Sequence, residues 1–305
     1  MLHILNGDAL AEPFALAGIP GSTLVWREAL CDGPTPAGLT PAAWRAIRAR
    51  FLAKEYGVTR QAATAAWRVL EAGLQASLTQ DEVVLWFEQD LFCQANLLYV
   101  LAWYAQRRRS PLLSLVMQRS LKGAEPVLMD GWFQARRALR PWQLRAAREA
   151  WAAYTNAYPG PLRGFLSGRM PWAGLGPALQ AHLDRLPDPE DGLDRIERAV
   201  LWLITIGFTE FGELFEAFAR AEPVYGLGDA QFLSVLRRMA ARPQALLTVE
   251  PRGALQNAAW RAGPPHLALR VTRFGEQVLL GKTPATMRSE RWVGGVRVGA
   301  EEGIG

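Results

Sequence analysis

Three short stretches place groups capable of acid–base or ligand chemistry directly after apolar runs. Asn6, Gly7 and Asp8 follow "LHIL"; Arg27, Glu28, Cys31, Asp32 and Gly33 follow "TLVW"; Glu88, Gln89, Asp90, Cys93 and Gln94 follow "VVLWF". The carboxylates of Asp8, Glu88 and Asp90 are the candidate catalytic groups. Carboxylates hold hard cations, bind ribose hydroxyls and transfer protons near neutral pH once their pKa is tuned. Asn6, Gly7, Arg27, Glu28, Asp32, Gly33, Gln89 and Gln94 are the candidate ligand-binding residues around them. The competing reading is architectural: an Asp just before a helix accepts bonds from the unpaired N–H groups of the first turn, and both Asp8 and Asp90 stand at such positions.

Several familiar chemistries are missing. "NGDALAE" supplies one glycine where a dinucleotide fingerprint needs three, and no GxxxxGK[ST] phosphate loop occurs. No CxxC, HExxH or GxSxG is present, so Cys31, Cys93 and His3 read as buried structural groups. The residues specify neither a metal nor a cofactor.

The elements that must position these groups alternate. Leu2–Leu5, Thr23–Arg27, the apolar part of Asp81–Asp90 and Leu112–Met117 have strand character. Ala9–Ala17, Pro41–Tyr56, Thr59–Ser77 and the stretch from Leu91 to about Gln106 have helical character. That alternation predicts a parallel sheet with helices on both faces, and ligands of such sheets lie beyond the carboxyl ends of the strands. From Trp132 to Leu186 the pattern is wholly helical, and Pro187, Pro189 and Gly192 mark a linker. Helices over Asp194–Ile206, Thr209–Ala219 and Asp229–Ala241 come next. Strands at Ala245–Glu250, His266–Thr272 and Arg291–Val298 complete the order of a winged helix. The expected fold is therefore α/β. A Rossmann-like parallel sheet with flanking helices occupies 1–130, a helical extension 131–190, and a C-terminal winged-helix-like domain 191–305.

Charge adds a second theme. The 305-residue chain carries a formal net charge of +5, with Lys only at Lys54, Lys122 and Lys282. Between Gln106 and Arg148, Arg107, Arg108, Arg109, Arg119, Lys122, Arg136, Arg137, Arg140, Arg145 and Arg148 face only Glu125 and Asp130. With Trp132 and Trp142 among them, they suit a nucleic-acid backbone or an anionic ligand, or simply form solvated helix faces. On the third helix of the C-terminal part, Phe232, Val235, Leu236 and Met239 are expected inside. Gln231, Ser234, Arg237, Arg238 and Arg242 are expected outside, with Arg237, Arg238 and Arg242 as candidate nucleic-acid contacts. No apolar run approaches the ~18–20 residues of a membrane span. The start of the chain lacks a basic segment before an apolar stretch, so a cytoplasmic location is expected.

The strings "HILNGDALAEPF", "VWREALCDGP", "VVLWFEQDLFCQANL" and "MPWAGLGPALQAHLDRLPDPEDGLDRIER" resemble the bacterial DUF1835 domain-containing proteins over most of the chain. The resemblance implies an α/β first domain with a helical continuation and carries no established activity. The function expected from the residues is binding of a small polar, phosphorylated or nucleotide-like ligand at the ends of the first three strands, with hydrolysis or group transfer as an extension. The alternative is a non-enzymatic regulator that senses a ligand and binds nucleic acid through the winged helix.

Overall fold

The computed structural model describes residues 1–121, 123–257, 265–285 and 291–299; Lys122 lies outside the described residues. In chain order it begins with β1 (Leu2–Asn6), α1 (Ala11–Leu16), β2 (Ser22–Trp26), β3 (Gly33–Pro34), α2 (Pro41–Tyr56), α3 (Arg60–Ser77), β4 (Glu82–Glu88) and α4 (Leu91–Ala105). There follow β5 (Leu112–Gln118), α5 (Pro126–Gln134), β6 (Arg137–Ala138), α6 (Pro141–Tyr154), α7 (Gly160–Leu166) and α8 (Leu175–Leu183). Five strands form a mainly parallel sheet in the order β2-β1-β4-β5-β6. β2, β1, β4 and β5 run parallel, and β6 closes one edge antiparallel. The direction of strand succession reverses between β1 and β4.

The composition of β4 explains its central place. Val83–Phe87 is an unbroken apolar run rich in β-branched and aromatic residues, and it is buried throughout, as a strand covered on both faces must be. Register then distributes the faces. His3, Leu5, Val84, Trp86 and Val116 pack with Phe14 of α1 and with Met129 and Phe133 of α5. Alternation along the strand turns Asn6 to the other face with Ile4, toward α4. Local signals set the helix starts: Thr40, Thr59 and Asp90 each accept a backbone N–H from the first turn of α2, α3 and α4. His3 is a core residue. Its Nε2 lies 3.1 Å from the Pro20 carbonyl, and its Nδ1 accepts from Trp86 Nε1 at 3.1 Å, with burial lowering its pKa.

Two expectations need correction here. Residues 132–186 are not wholly helical, because Arg137–Ala138 pairs with Ser114 and Leu115 as the edge strand β6. Two residues within a basic run carry no alternation to read. Asp8 is not a helix cap either. The chain enters a short 3-10 turn at Asp8–Leu10 with Gly7 at its cap position, and no side chain caps it.

The chain divides into two compact units, 1–180 with Gly294–Val296, and 181–293 with the residues from Arg297 on. Most of the stretch 131–190 thus groups with the sheet, and α6 packs along α4. The second unit contains α9 (Arg195–Thr205), α10 (Phe211–Ala221), α11 (Asp229–Ala241), β7 (Leu247–Glu250), α12 (Ala254–Asn257), β8 (Ala268–Val271) and α13 (Arg273–Leu279). Beyond these come β9 (Arg291–Gly294) and β10 (Val296–Val298). β7 and β8 pair antiparallel, and Phe211, Phe218 and Phe232 form a buried aromatic core. Among the described residues no helix is long and apolar enough to cross a membrane.

Candidate functional site

The ends of β1, β2 and β4 are joined by an amide relay. Asn6 Nδ2 donates to Cys93 Sγ at 3.0 Å, and Asn6 Oδ1 accepts from Asn96 Nδ2 at 2.8 Å. Asn96 Nδ2 also donates to the Glu28 carbonyl at 2.7 Å, while Asn96 Oδ1 accepts from Leu30 N at 3.2 Å. Asn96 is fully buried on α4, so two amides tie the first strand, the loop after the second and the helix after the fourth. Gly7 sits at φ 90°, a conformation that favours glycine, and its N–H donates to the Trp26 carbonyl at 3.1 Å.

At the end of β4, Glu88, Asp90 and Cys93 bring one donor atom each within 4.8 Å of one another. Asp90 Oδ1 accepts from Cys93 N at 2.9 Å, and Glu88 Oε1 accepts from Leu121 N. Burial first, and then the neighbouring Glu88 carboxylate, raise Asp90 to about 6, even though the Cys93 N–H works the other way. Burial and the same two carboxylates push the Cys93 thiol well up, so it is not a thiolate near neutral pH. Each of the three groups already takes a protein N–H, with Asn6 on the sulfur. The arrangement therefore suits a buried Asp90 carboxyl that keeps its proton beside Glu88 better than a ready-made cation cage.

The other candidate residues have distinct surroundings. Asp8 forms an exposed, forked pair with Arg27, with Nε 2.8 and 3.0 Å from the two carboxylate oxygens. Glu28 does not reach the open rim. It is buried, and its Oε1 accepts from Arg48 Nε at 2.6 Å and Trp67 Nε1 at 3.2 Å. Arg48 in turn donates to the carbonyls of Ala29, Asp32 and Pro34, so this ion pair moulds the "EALCDGP" loop. Asp32 accepts from Tyr56 Oη at 2.7 Å and from Gly33 N at 3.1 Å. Gly33 packs against the ring of Phe51, which an added Cβ would meet at 2.6 Å. Gln94 is wholly buried: its amide donates to the Glu88 carbonyl at 2.6 Å and accepts from Trp172 Nε1 at 2.7 Å.

That last bond reveals the segment that sequence reasoning missed. "MPWAGLG" returns to the sheet edge, where Gly174 sits so close that an added Cβ would be 2.6 Å from Gln89 Cβ. The stretch has no periodicity; its only local signals are its glycines and Pro171. Together with the sheet edge it walls a cleft of about 780 Å³. Gln89, Met117 and Gln118 line it from the strand ends, Arg137, Arg140 and Arg169 supply charge, and Trp132, Trp142 and Trp172 supply rings. Among the described residues, no Asp or Glu lines it. Arg169 lies 4.5 Å above the Trp142 ring. Of the residues predicted at the strand ends Gln89 alone lines this cleft, with Glu88 and Asp90 flanking it in sequence, whereas Arg137, Arg140, Trp132 and Trp142 come from the basic stretch read as suited to an anionic ligand.

The arginines expected on the outer face of α11 turn to partners of their own unit. Arg242 is buried against Glu197 at 2.7 Å. Arg238 lies 3.9 Å from Asp194, and Arg237 Nε donates to the Leu255 carbonyl at 3.0 Å. Ser234 is buried rather than outward. No row of outward basic side chains results, because α9 supplies two buried carboxylates at its start, Asp194 and Glu197, which draw guanidinium groups inward. No protein-family model and no curated protein matches the chain.

Proposed function

We propose that the first unit binds a small phosphorylated ligand with a planar ring, nucleotide-like in chemistry, in the cleft at the β4–β5–β6 edge. The observation that carries this reading is the lining itself: among the described residues, three arginines and three tryptophans with no carboxylate. Guanidinium forks match phosphate oxygens, and indole faces stack on planar rings. On this reading the mainly parallel sheet is a doubly wound, Rossmann-like one, in which ligands sit beyond the carboxyl ends of the strands; the cleft lies to the β5 side of the reversal between β1 and β4. Asp90, next in sequence to the cleft residue Gln89, holds its proton up to about pH 6, which suits it to exchange one with a bound ligand in hydrolysis or group transfer, with Glu88 as its neighbour.

The likeness to DUF1835 proteins, a cytoplasmic setting and a winged-helix-like second unit belong to the same reading. The nucleic-acid alternative is the weaker one, since Arg237, Arg238 and Arg242 are engaged within their own unit. Calorimetric titration with nucleoside mono-, di- and triphosphates tests the proposal. Binding that Arg140→Glu and Arg169→Glu each weaken at least tenfold, and that weakens with salt, is the expected result. Nucleotide affinity indifferent to both substitutions, or absent at millimolar concentration, refutes it.

A further inference from the structure

A second, larger recess of about 1060 Å³ lies on another side of the first unit, walled by α2, α3, α4 and α6. Its volume lies just above the ~300–1,000 Å³ that small-molecule sites span. The floor is aromatic. Trp44 and Tyr99 stack with centroids 5.7 Å apart, and Trp151 meets Tyr99 edge-on at 5.4 Å. Trp44 is 8% exposed, and its Nε1 is buried without a hydrogen-bond partner.

The charge of the walls is one-sided. Glu71, the acidic residue of the lining, is held by Arg45 through two bonds of 2.7 and 2.9 Å. Arg107 is fixed over the Trp103 ring at 3.7 Å, with Nη1 donating to the Trp103 carbonyl, and its remaining donors stay available. Arg68 and Arg148 line the mouth with no ion-pair partner among the described residues. An aromatic floor under a cationic mouth fits a ring-bearing body with an anionic head.

From these features we infer that the groove is a second ligand site, independent of the strand-edge cleft, and that it takes a small aryl anion. The ring lies against Trp151 and Tyr99, and a carboxylate, sulfonate or phosphate head meets Arg68, Arg107 and Arg148.

The test uses the intact chain and 8-anilinonaphthalene-1-sulfonate, an aryl sulfonate whose fluorescence rises in apolar surroundings. Ala72→Trp narrows the mouth from an exposed position on α3, and the pair Arg68→Glu with Arg148→Glu reverses its charge. Saturable one-to-one binding that either change weakens at least tenfold, while Arg140→Glu leaves it intact, is expected; circular dichroism verifies each fold. Competition by 1-naphthyl phosphate and by 1-naphthoate distinguishes the head groups. Unchanged affinity in the folded groove variants, or equal affinity for the neutral N-phenyl-1-naphthylamine, overturns the inference. Loss of binding in Arg140→Glu alone assigns the dye to the strand-edge cleft and also overturns it. Nucleotide titration of the groove variants is read separately, so failure of one site does not imply failure of the other.

Discussion

Replacing Asp90 by Asn isolates the electrostatic state of the carboxylate pair. The side chain caps α4, and Asn is as good a cap as Asp, so the bond to Cys93 N survives the change. What disappears is an ionisable group whose pKa rises from 3.8 when free to about 6 in the fold. Below about pH 4 the carboxyl is protonated in both folded and unfolded chains, and the full contribution of the bound proton is present. As pH rises through 4 to 6 the unfolded chain gives up its proton first, so stability falls by about 1.4 kcal/mol per pH unit. The difference of pKa gives a loss of at most about 3 kcal/mol by pH 7.

Asp90→Asn removes that loss. Urea unfolding from pH 4 to pH 8 should give equal stabilities at pH 4 and a variant up to about 3 kcal/mol more stable at pH 8. Carbon-13 shifts of labelled Asp carboxyls should show one midpoint near 6 that the variant lacks. Parallel pH curves for the two proteins, or a variant destabilised by more than about 1 kcal/mol at pH 8, the ordinary cost of a lost cap, would refute the reasoning. Asp90 would then be either ordinarily ionised or needed as a charge.

Two further substitutions probe the scaffold of the site. Arg48→Met leaves Glu28 buried without its partner and should cost about 3–5 kcal/mol in urea unfolding near neutral pH; Glu28→Gln in the same background should recover part of it, and no recovery would mean that Arg48 acts through packing alone. Gly174→Ala meets Gln89 and forces a side chain onto φ 88°, so a loss of about 1–3 kcal/mol is expected. With it should come a change in Trp172 fluorescence, and an unperturbed protein would show that the segment is not held against β4.

Much of the sheet can be read along the chain because its causes are local. β4 announces itself through Val83–Phe87, α4 through Asp90 and the apolar helix behind it, and the turn after β1 through Gly7. The rim groups Asn6, Glu88, Asp90 and Cys93 follow from the ends of those elements. Glu28 shows the limit of such reading. A carboxylate after a strand is equally consistent with a ligand site and with a buried ion pair, and Arg48, twenty residues on, decides which. The same holds for Arg242, whose partner Glu197 is 45 residues away.

The sequence by itself determined the alternation of strands and helices and the polar groups at the ends of the strands, since periodicity, caps and turn glycines act over a few residues. Only the tertiary structure decided which of those groups meet. It drew Glu28 and Gln94 into the interior, brought "MPWAGLG" back to Gln89 and Gln94, and gathered Arg137, Arg140 and Arg169 around tryptophans from separate elements. Such encounters are set by packing and by the need to neutralise buried charge across long sequence separations, and no local pattern encodes them.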